Sequence, residues 1–300
     1  MKKLTALLIT MLALALIGCG ANEAVDENKE AFTGDYIVDA EYVKENLDNI
    51  IVVDARGEDE AKKGTVKGAI ATKWQFLATC EDGAPGDPNW GCILDVDRLS
   101  ERLGSLGLAK DKEIVLFSDC EKGWGEDGRI AWELIAAGYE NVKIVNGGIE
   151  ALKAAGVEIE KGAAAPTPVE VKIDAIDETH VINTEELKSI YDTCKVVDVR
   201  EDKEYEGKTL YDEANGGHLP GAIHIRYTDL FDGDSTLKSK EELTKMFEDA
   251  GLSKDDHIVT YCTGGIRSAY MQLVMEMCGF ENTENYDESF YRWCVEEPLE

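Results

Sequence analysis

Cys262 is the residue best placed for covalent chemistry: it follows the run Ile258-Val259-Thr260-Tyr261 and precedes Thr263-Gly264-Gly265-Ile266-Arg267. The four residues before it are strand formers in a run too short for a helix. After it, Ala269, Leu273 and Met277 fall at i, i+4 and i+8, one face of a helix that Gly279 closes. A cysteine on a glycine-containing turn between strand and helix has a physical consequence. The glycines let successive N–H groups turn inward as an anion-binding nest. The orphan amides of the helix's first turn add positive potential. Both lower a thiol's pKa and supply a thiolate near neutral pH; the competing reading is a buried, inert cysteine. Arg267 is the loop's one charge, and Arg226, beyond the strand expected at Ile223, is a second cation that could help hold an anion. The plain alternative for Arg226 is a surface ion pair.

The elements that must position this loop occur twice. Ile51-Val52-Val53-Asp54-Ala55-Arg56 matches Lys195-Val196-Val197-Asp198-Val199-Arg200, and Gly64 to Ile70 matches Gly217 to Ile223. Ile114 to Phe117 matches Ile258 to Tyr261, and Ala137 to Asn141 matches Cys278 to Asn282, in the same order. Strand-like runs alternate with amphipathic stretches such as Lys240 to Ala250, so each copy is expected to be an α/β domain with a mainly parallel sheet flanked by helices. Reactive groups then belong at the carboxyl ends of strands. The expected copies span residues 35–160 and 179–300, joined by a linker over 161–178 that contains Ala163-Ala164-Ala165-Pro166-Thr167-Pro168. In the first copy Ser118 occupies the place of Cys262, and the stretch to the closing glycine is three residues longer. Cys120 lies in that longer loop, where Asp119 and Glu121 would raise a thiol's pKa.

Five blocks resemble the signature blocks of the rhodanese family: Val197 to Arg200, Glu204 to Gly207, Gly217 to His224, Tyr261 to Ser268, and Gly279 to Asn282. The tail from Tyr286 to Phe290, with Trp293 and Pro298-Leu299-Glu300, resembles the end of two-domain thiosulfate and mercaptopyruvate sulfurtransferases. The resemblance implies two tandem rhodanese-like domains, a catalytic second one and a non-catalytic first one that walls the cleft. It implies no cofactor, a small sulfur-containing donor, and a thiol or cyanide acceptor. Cys262 would take a sulfane sulfur, become a persulfide and pass the sulfur on, acting as both nucleophile and carrier. Loop amides would stabilise both anions. Asp198 and Arg200 are expected as scaffold, and His218 and Pro220 as residues that shape a turn. The family's loop usually carries more cations than Thr263, Gly264 and Gly265 offer, so polysulfide, a persulfide or a mercaptoacid stand beside thiosulfate as donors. Phosphatases and arsenate reductases on this fold use a loop one residue longer than the four residues between Cys262 and Arg267, so this nest suits a single sulfur. A further alternative is an accessory or binding lipoprotein of a cell-surface redox or sulfur-respiring assembly.

The net charge of −30 repels polynucleotides and anionic headgroups, which excludes nucleic acid as an expected partner. Lys2 and Lys3, the apolar stretch to Ile17, and Leu16-Ile17-Gly18-Cys19 look like a bacterial lipoprotein leader over residues 1–18. Cys19 would carry the lipid, and residues 19–34 would tether an exported protein to a membrane. Export permits disulfides. Cys80 and Cys92 bracket a Gly- and Pro-rich insertion, and a bond between them is expected to stabilise the fold by about 3 kcal/mol. The four histidines are scattered and no Cys-x-x-Cys occurs, so no metal site is expected.

Overall fold

The computed structural model describes residues 30–120 and 122–300. The expected leader, the expected lipid attachment at Cys19 and most of the expected tether lie outside the described residues. Among the described residues, no helix is long and apolar enough to cross a membrane.

The first copy runs β1 (Ile37–Val38), α1 (Ala40–Asn46), β2 (Ile51–Asp54), α2 (Glu58–Ala61), β3 (Thr65–Val66), β4 (Ile70–Ala71) and α3 (Val96–Ser105). It continues with β5 (Ile114–Phe117), α4 (Glu126–Ala136), β6 (Val142–Val145), α5 (Gly148–Ala154) and β7 (Ile159–Glu160). The second copy runs β8 (Val181–Ile182), α6 (Thr184–Ile190), β9 (Lys195–Asp198), α7 (Asp202–Tyr205), β10 (Ile223–His224) and α8 (Lys240–Asp249). It ends with β11 (Ile258–Tyr261), α9 (Ile266–Met277), β12 (Thr283–Tyr286) and α10 (Ser289–Glu296). The sheet orders are β1-β6-β5-β2-β4 and β8-β12-β11-β9-β10, the same path in both copies. Every pairing within the two five-stranded sheets is parallel. The central strands β5 and β11 are buried along their whole length, as continuous apolar and β-branched runs in parallel sheets should be.

Helices α4 and α9 follow these central strands and pack on each other between the sheets. Both are buried on nearly every side, and one apolar cluster joins them, from Ile130 and Leu134 to Tyr270, Met271 and Val274. Gly128 marks the closest approach, since a Cβ there would overlap the Tyr270 ring. The two copies thus share a core.

The linker is a docked strap. The Val169 amide donates to the Gly104 carbonyl (3.0 Å) and the Asp177 amide to the Ala136 carbonyl (2.7 Å). Ile173 is buried and its amide donates to Ser100 Oγ (2.9 Å). A different device from the expected disulfide holds the Cys80–Cys92 insertion. An antiparallel bridge between Ala78 and Ile93 brings its ends together, yet Cys80 and Cys92 are both free thiols. Burial pushes Cys80 up to about 12 and Cys92 further still. The insertion is fixed by docking on the second copy: the Asn89 amide donates to Glu288 Oε1 (2.7 Å) and the Ile93 amide to Asp287 Oδ2 (2.9 Å).

Candidate active site

The end of β11 delivers Cys262 to the foot of α9. Its sulfur accepts a hydrogen bond from the Gly265 amide at 3.2 Å. Gly265 has φ +83°, and a Cβ there would stand 2.7 Å from the Asp287 carbonyl oxygen, so the turn requires glycine on both counts. The thiol group is buried, and burial by itself pushes its pKa up. The Arg267 charge, the amide and hydroxyl of Ser268, and the Gly264 amide outweigh that cost, and the net shift is downward.

Arg267 is less free than its place in the loop suggests. Its guanidinium is bidentate on Glu204 of α7, with Nη1 to Oε2 at 2.8 Å and Nη2 to Oε1 at 2.7 Å. Nη2 also donates to Thr263 Oγ1 (2.9 Å), which donates to Glu204 Oε1 (2.7 Å). Burial would raise the Glu204 carboxyl; the bonds from Arg267 reverse that and hold it below its ordinary value. Arg267 therefore faces the thiolate as one half of a neutral pair, a partner that Glu204's position near residue 200 did not announce. Arg226 is not brought to the site. Its guanidinium is on Asp229 (Nη2–Oδ1 2.6 Å) and Asp202 (3.3 Å), a partly exposed ion pair that caps a short turn. Replacing Arg267 by Gln should move the alkali-side rise of iodoacetamide reactivity at Cys262 upward by about one pH unit, with Arg267→Lys in between. An unchanged rate–pH profile would contradict this electrostatic role.

The start of α10 holds the loop from behind. Ser289 Oγ accepts from the Cys262 amide (2.9 Å) and donates to the Cys262 carbonyl (3.2 Å). The Phe290 amide also reaches that carbonyl (3.1 Å), and the Tyr291 amide reaches Thr263 (2.9 Å). Ser289 has φ +56°; its counterpart in the first copy is Gly148, with φ +54°. A serine held in the left-handed region costs about 1–3 kcal/mol, and here its hydroxyl secures both polar backbone atoms of Cys262.

The first copy supplies the other supports. Arg129 of α4 is fully buried and bonds Glu133 (2.8 Å), Asp287 (2.6 Å), the Gly265 carbonyl (3.2 Å) and the Gly91 carbonyl (3.0 Å). One side chain thus ties α4, the Cys262 loop, the start of α10 and the first-copy insertion together. The net three-residue difference between the copies is a loop four residues longer and a helix one residue shorter. That longer loop carries Cys120, which is buried and whose pKa is driven far up, first by burial and then by Asp127, Asp119 and Glu126. It also carries Trp124, which reaches the second copy's cavity.

The cavity in front of Cys262 has a volume of about 180 Å³. Trp74, Trp90 and Trp124 from the first copy and Tyr211 and Tyr291 from the second form its walls, with Thr263, Gly264, Ile266 and Arg267 at its floor. Asp198 and Arg200 stand apart from it. Arg200 pairs with Asp198 (2.7 Å), donates to the Gly217 carbonyl (2.7 Å) and lies over Phe290 (3.8 Å). Asp54 and Arg56 repeat this arrangement, with Arg56 on the Gly64 carbonyl (2.8 Å). His218 bonds the Tyr205 carbonyl (3.0 Å) and stacks on the Tyr205 ring, shaping its turn away from the thiol.

The rhodanese-like domain model matches the chain twice, over residues 39–155 and 183–296. A provisionally named thiosulfate sulfurtransferase of Mycobacterium leprae is 28% identical over 89% of this chain and 98% of its own. The thiosulfate sulfurtransferase of Corynebacterium glutamicum is 28% identical over 79% and 80% of the two chains. Among solved structures, an anaerobic ergothioneine biosynthesis enzyme from Chlorobium limicola superposes with a TM-score of 0.78 at 22% identity, covering 89% of this chain and 70% of its own; this likeness carries the fold alone. With two matched domains across most of its length and sulfurtransferases among its full-length relatives, the chain belongs to the rhodanese family.

Proposed function

We propose that this rhodanese-family sulfurtransferase moves a sulfane sulfur from thiosulfate or a related donor to a thiophilic acceptor, cyanide or a thiol, through a persulfide on Cys262. The observation that carries the reading is the lowered thiol at the end of β11, facing the Gly265 amide at the foot of α9. In the first half-reaction the Cys262 thiolate attacks the donor's outer sulfur. The new S–S bond forms as the donor's own bond to that sulfur breaks, and from thiosulfate sulfite departs with the electron pair. In the second, the acceptor attacks the outer sulfur and Cys262 leaves as thiolate. No oxidant is consumed, and the loop amides stabilise a sulfur anion at each stage.

Thiocyanate formation from thiosulfate and cyanide tests the reading. The intact chain should turn over, and Cys120→Ser should retain at least about half the rate, because a buried thiol with a strongly raised pKa supplies no thiolate. Loss of activity in Cys120→Ser with the fold intact would move the chemistry to the first copy. We also propose that lipid on Cys19 anchors the protein to a bacterial membrane, as the Leu16-Ile17-Gly18-Cys19 sequence suggests. Detergent-phase partitioning should then be lost in Cys19→Ala; equal partitioning of both forms would refute the anchor.

A further inference from the structure

The cavity over Cys262 is walled by aromatic side chains, and Arg267 is the one charged residue in its lining among the described residues. Trp90 meets Tyr291 edge-on, with ring centroids 5.4 Å apart at 88°, and Trp124 meets Tyr211 in the same way at 5.5 Å and 82°. With Trp74 these rings line one opening; Arg267 lies over the Tyr211 ring (5.9 Å) and Arg129 over the Trp74 ring (5.8 Å). The cation nearest the sulfur, Arg267, is neutralised by Glu204. Glu213 stands next to Tyr211, behind the wall rather than in it. Glu213 is buried, and its Oε1 has no hydrogen-bond partner among the described residues, while Oε2 accepts only from the Tyr211 amide (2.8 Å). Glu213, Asp212 and Cys262 all act electrostatically on the Tyr291 phenol.

The first copy contributes to this wall by insertion. Two of its three cavity tryptophans lie in segments that the second copy lacks: Trp90 in the stretch between Cys80 and Cys92, and Trp124 in the lengthened loop after Ser118. Trp124 is 43% exposed, which leaves part of its ring open to solvent.

We infer that the cavity takes a small organic cation, and that the acceptor of the Cys262 sulfur is a thiol bearing an alkylated ammonium group. Aromatic faces attract such a group through the ring quadrupole, tryptophan most strongly. A sulfur oxyanion would meet the loop amides and an Arg267 already paired with Glu204. Loading converts the Cys262 thiolate into a persulfide anion of the same charge, so a cation in the cavity meets an anion at both stages. The acceptor's thiolate attacks the outer sulfur, its S–S bond forms as the bond to Cys262 breaks, and Cys262 is regenerated as thiolate. The inference rests on the sulfur-carrier reading of Cys262 and deepens it.

The test is calorimetric titration of the intact chain carrying Cys262→Ser, with choline and with its neutral carbon isostere, dimethylbutanol. Choline should bind about tenfold more tightly than the isostere, and Trp124→Ala should weaken choline by a similar factor. Glu213→Gln should weaken choline and leave the isostere unchanged. Equal affinities for the two ligands, no measurable choline binding, or choline affinity unaltered by Trp124→Ala would each overturn the inference. The isostere comparison at unaltered walls keeps the test valid if a tryptophan variant misfolds. None of these titrations depends on sulfur transfer. Failure of the carrier reading shows separately, as an unmodified Cys262 after donor treatment of the wild-type chain.

Discussion

Cys262→Ser is expected to lower sulfur-transfer turnover by at least about a thousandfold while leaving the fold intact. The expectation follows from what one atom is asked to do. The sulfur must be an anion at neutral pH, attack a sulfane sulfur, hold it, and then depart. A serine hydroxyl offers no anion in that range and forms no S–S bond. The hydroxyl is close in size to the thiol, and the contacts that fix this residue use its backbone: the amide to Ser289 Oγ and the carbonyl to the Phe290 amide. Thermal unfolding should therefore change little as thiocyanate formation collapses. Turnover within tenfold of wild type would place the chemistry elsewhere.

Arg129→Ala should be the most damaging single change to stability, at about 3–5 kcal/mol, because removing one partner strands buried charge. Glu133 and Asp287 are both buried and would lose their cation, and the carbonyls of Gly265 and Gly91 would lose a donor. The Gly91 and Gly265 bonds also fix the insertion that carries Trp90 and the turn that points its amide at Cys262. Activity should consequently fall further than the folded fraction does. A control is available on the surface: Arg98 bridges Asp82 and Asp95 where all three are well exposed, so Arg98→Ala should cost no more than about 1 kcal/mol. Chemical denaturation of the three chains measures the difference. Equal midpoints for Arg129→Ala and Arg98→Ala would show that the Arg129 network contributes nothing special.

The duplicated α/β order was legible because each buried central strand is a short unbroken run, Ile114 to Phe117 and Ile258 to Tyr261, bounded by glycine-closed helices. The Cys262 loop was legible for a related reason: a strand end, two glycines and a helix start are consecutive in the chain. Contacts between distant segments were not. Nothing near Arg267 in sequence announces Glu204, and the pair cancels much of the charge expected for an anionic donor. Arg226 fell outside the site because Asp229, three residues on, captures it first. Arg129 sits in the copy that lacks the nucleophile, so its reach to Gly265 and Asp287 appears only once α4 and α9 pack together. The Gly- and Pro-rich insertion suggested a cross-linked surface loop at Cys80 and Cys92. Its backbone amides instead find the Asp287 and Glu288 carboxylates, an anchor that local composition does not encode. The longer loop after Ser118 drew attention through Cys120, whereas its contribution to the cavity is Trp124.

The central claim is that Cys262 carries the sulfur. The direct measurement is peptide mass spectrometry of the intact chain after brief exposure to thiosulfate or polysulfide, followed by a second sample chased with cyanide. The Cys262 peptide should gain the mass of one sulfur and lose it in the chase, with the Cys120 peptide unmodified throughout. A Cys262 peptide that never gains sulfur while thiocyanate is still produced, or a label on Cys120 that turns over in its place, would contradict the account.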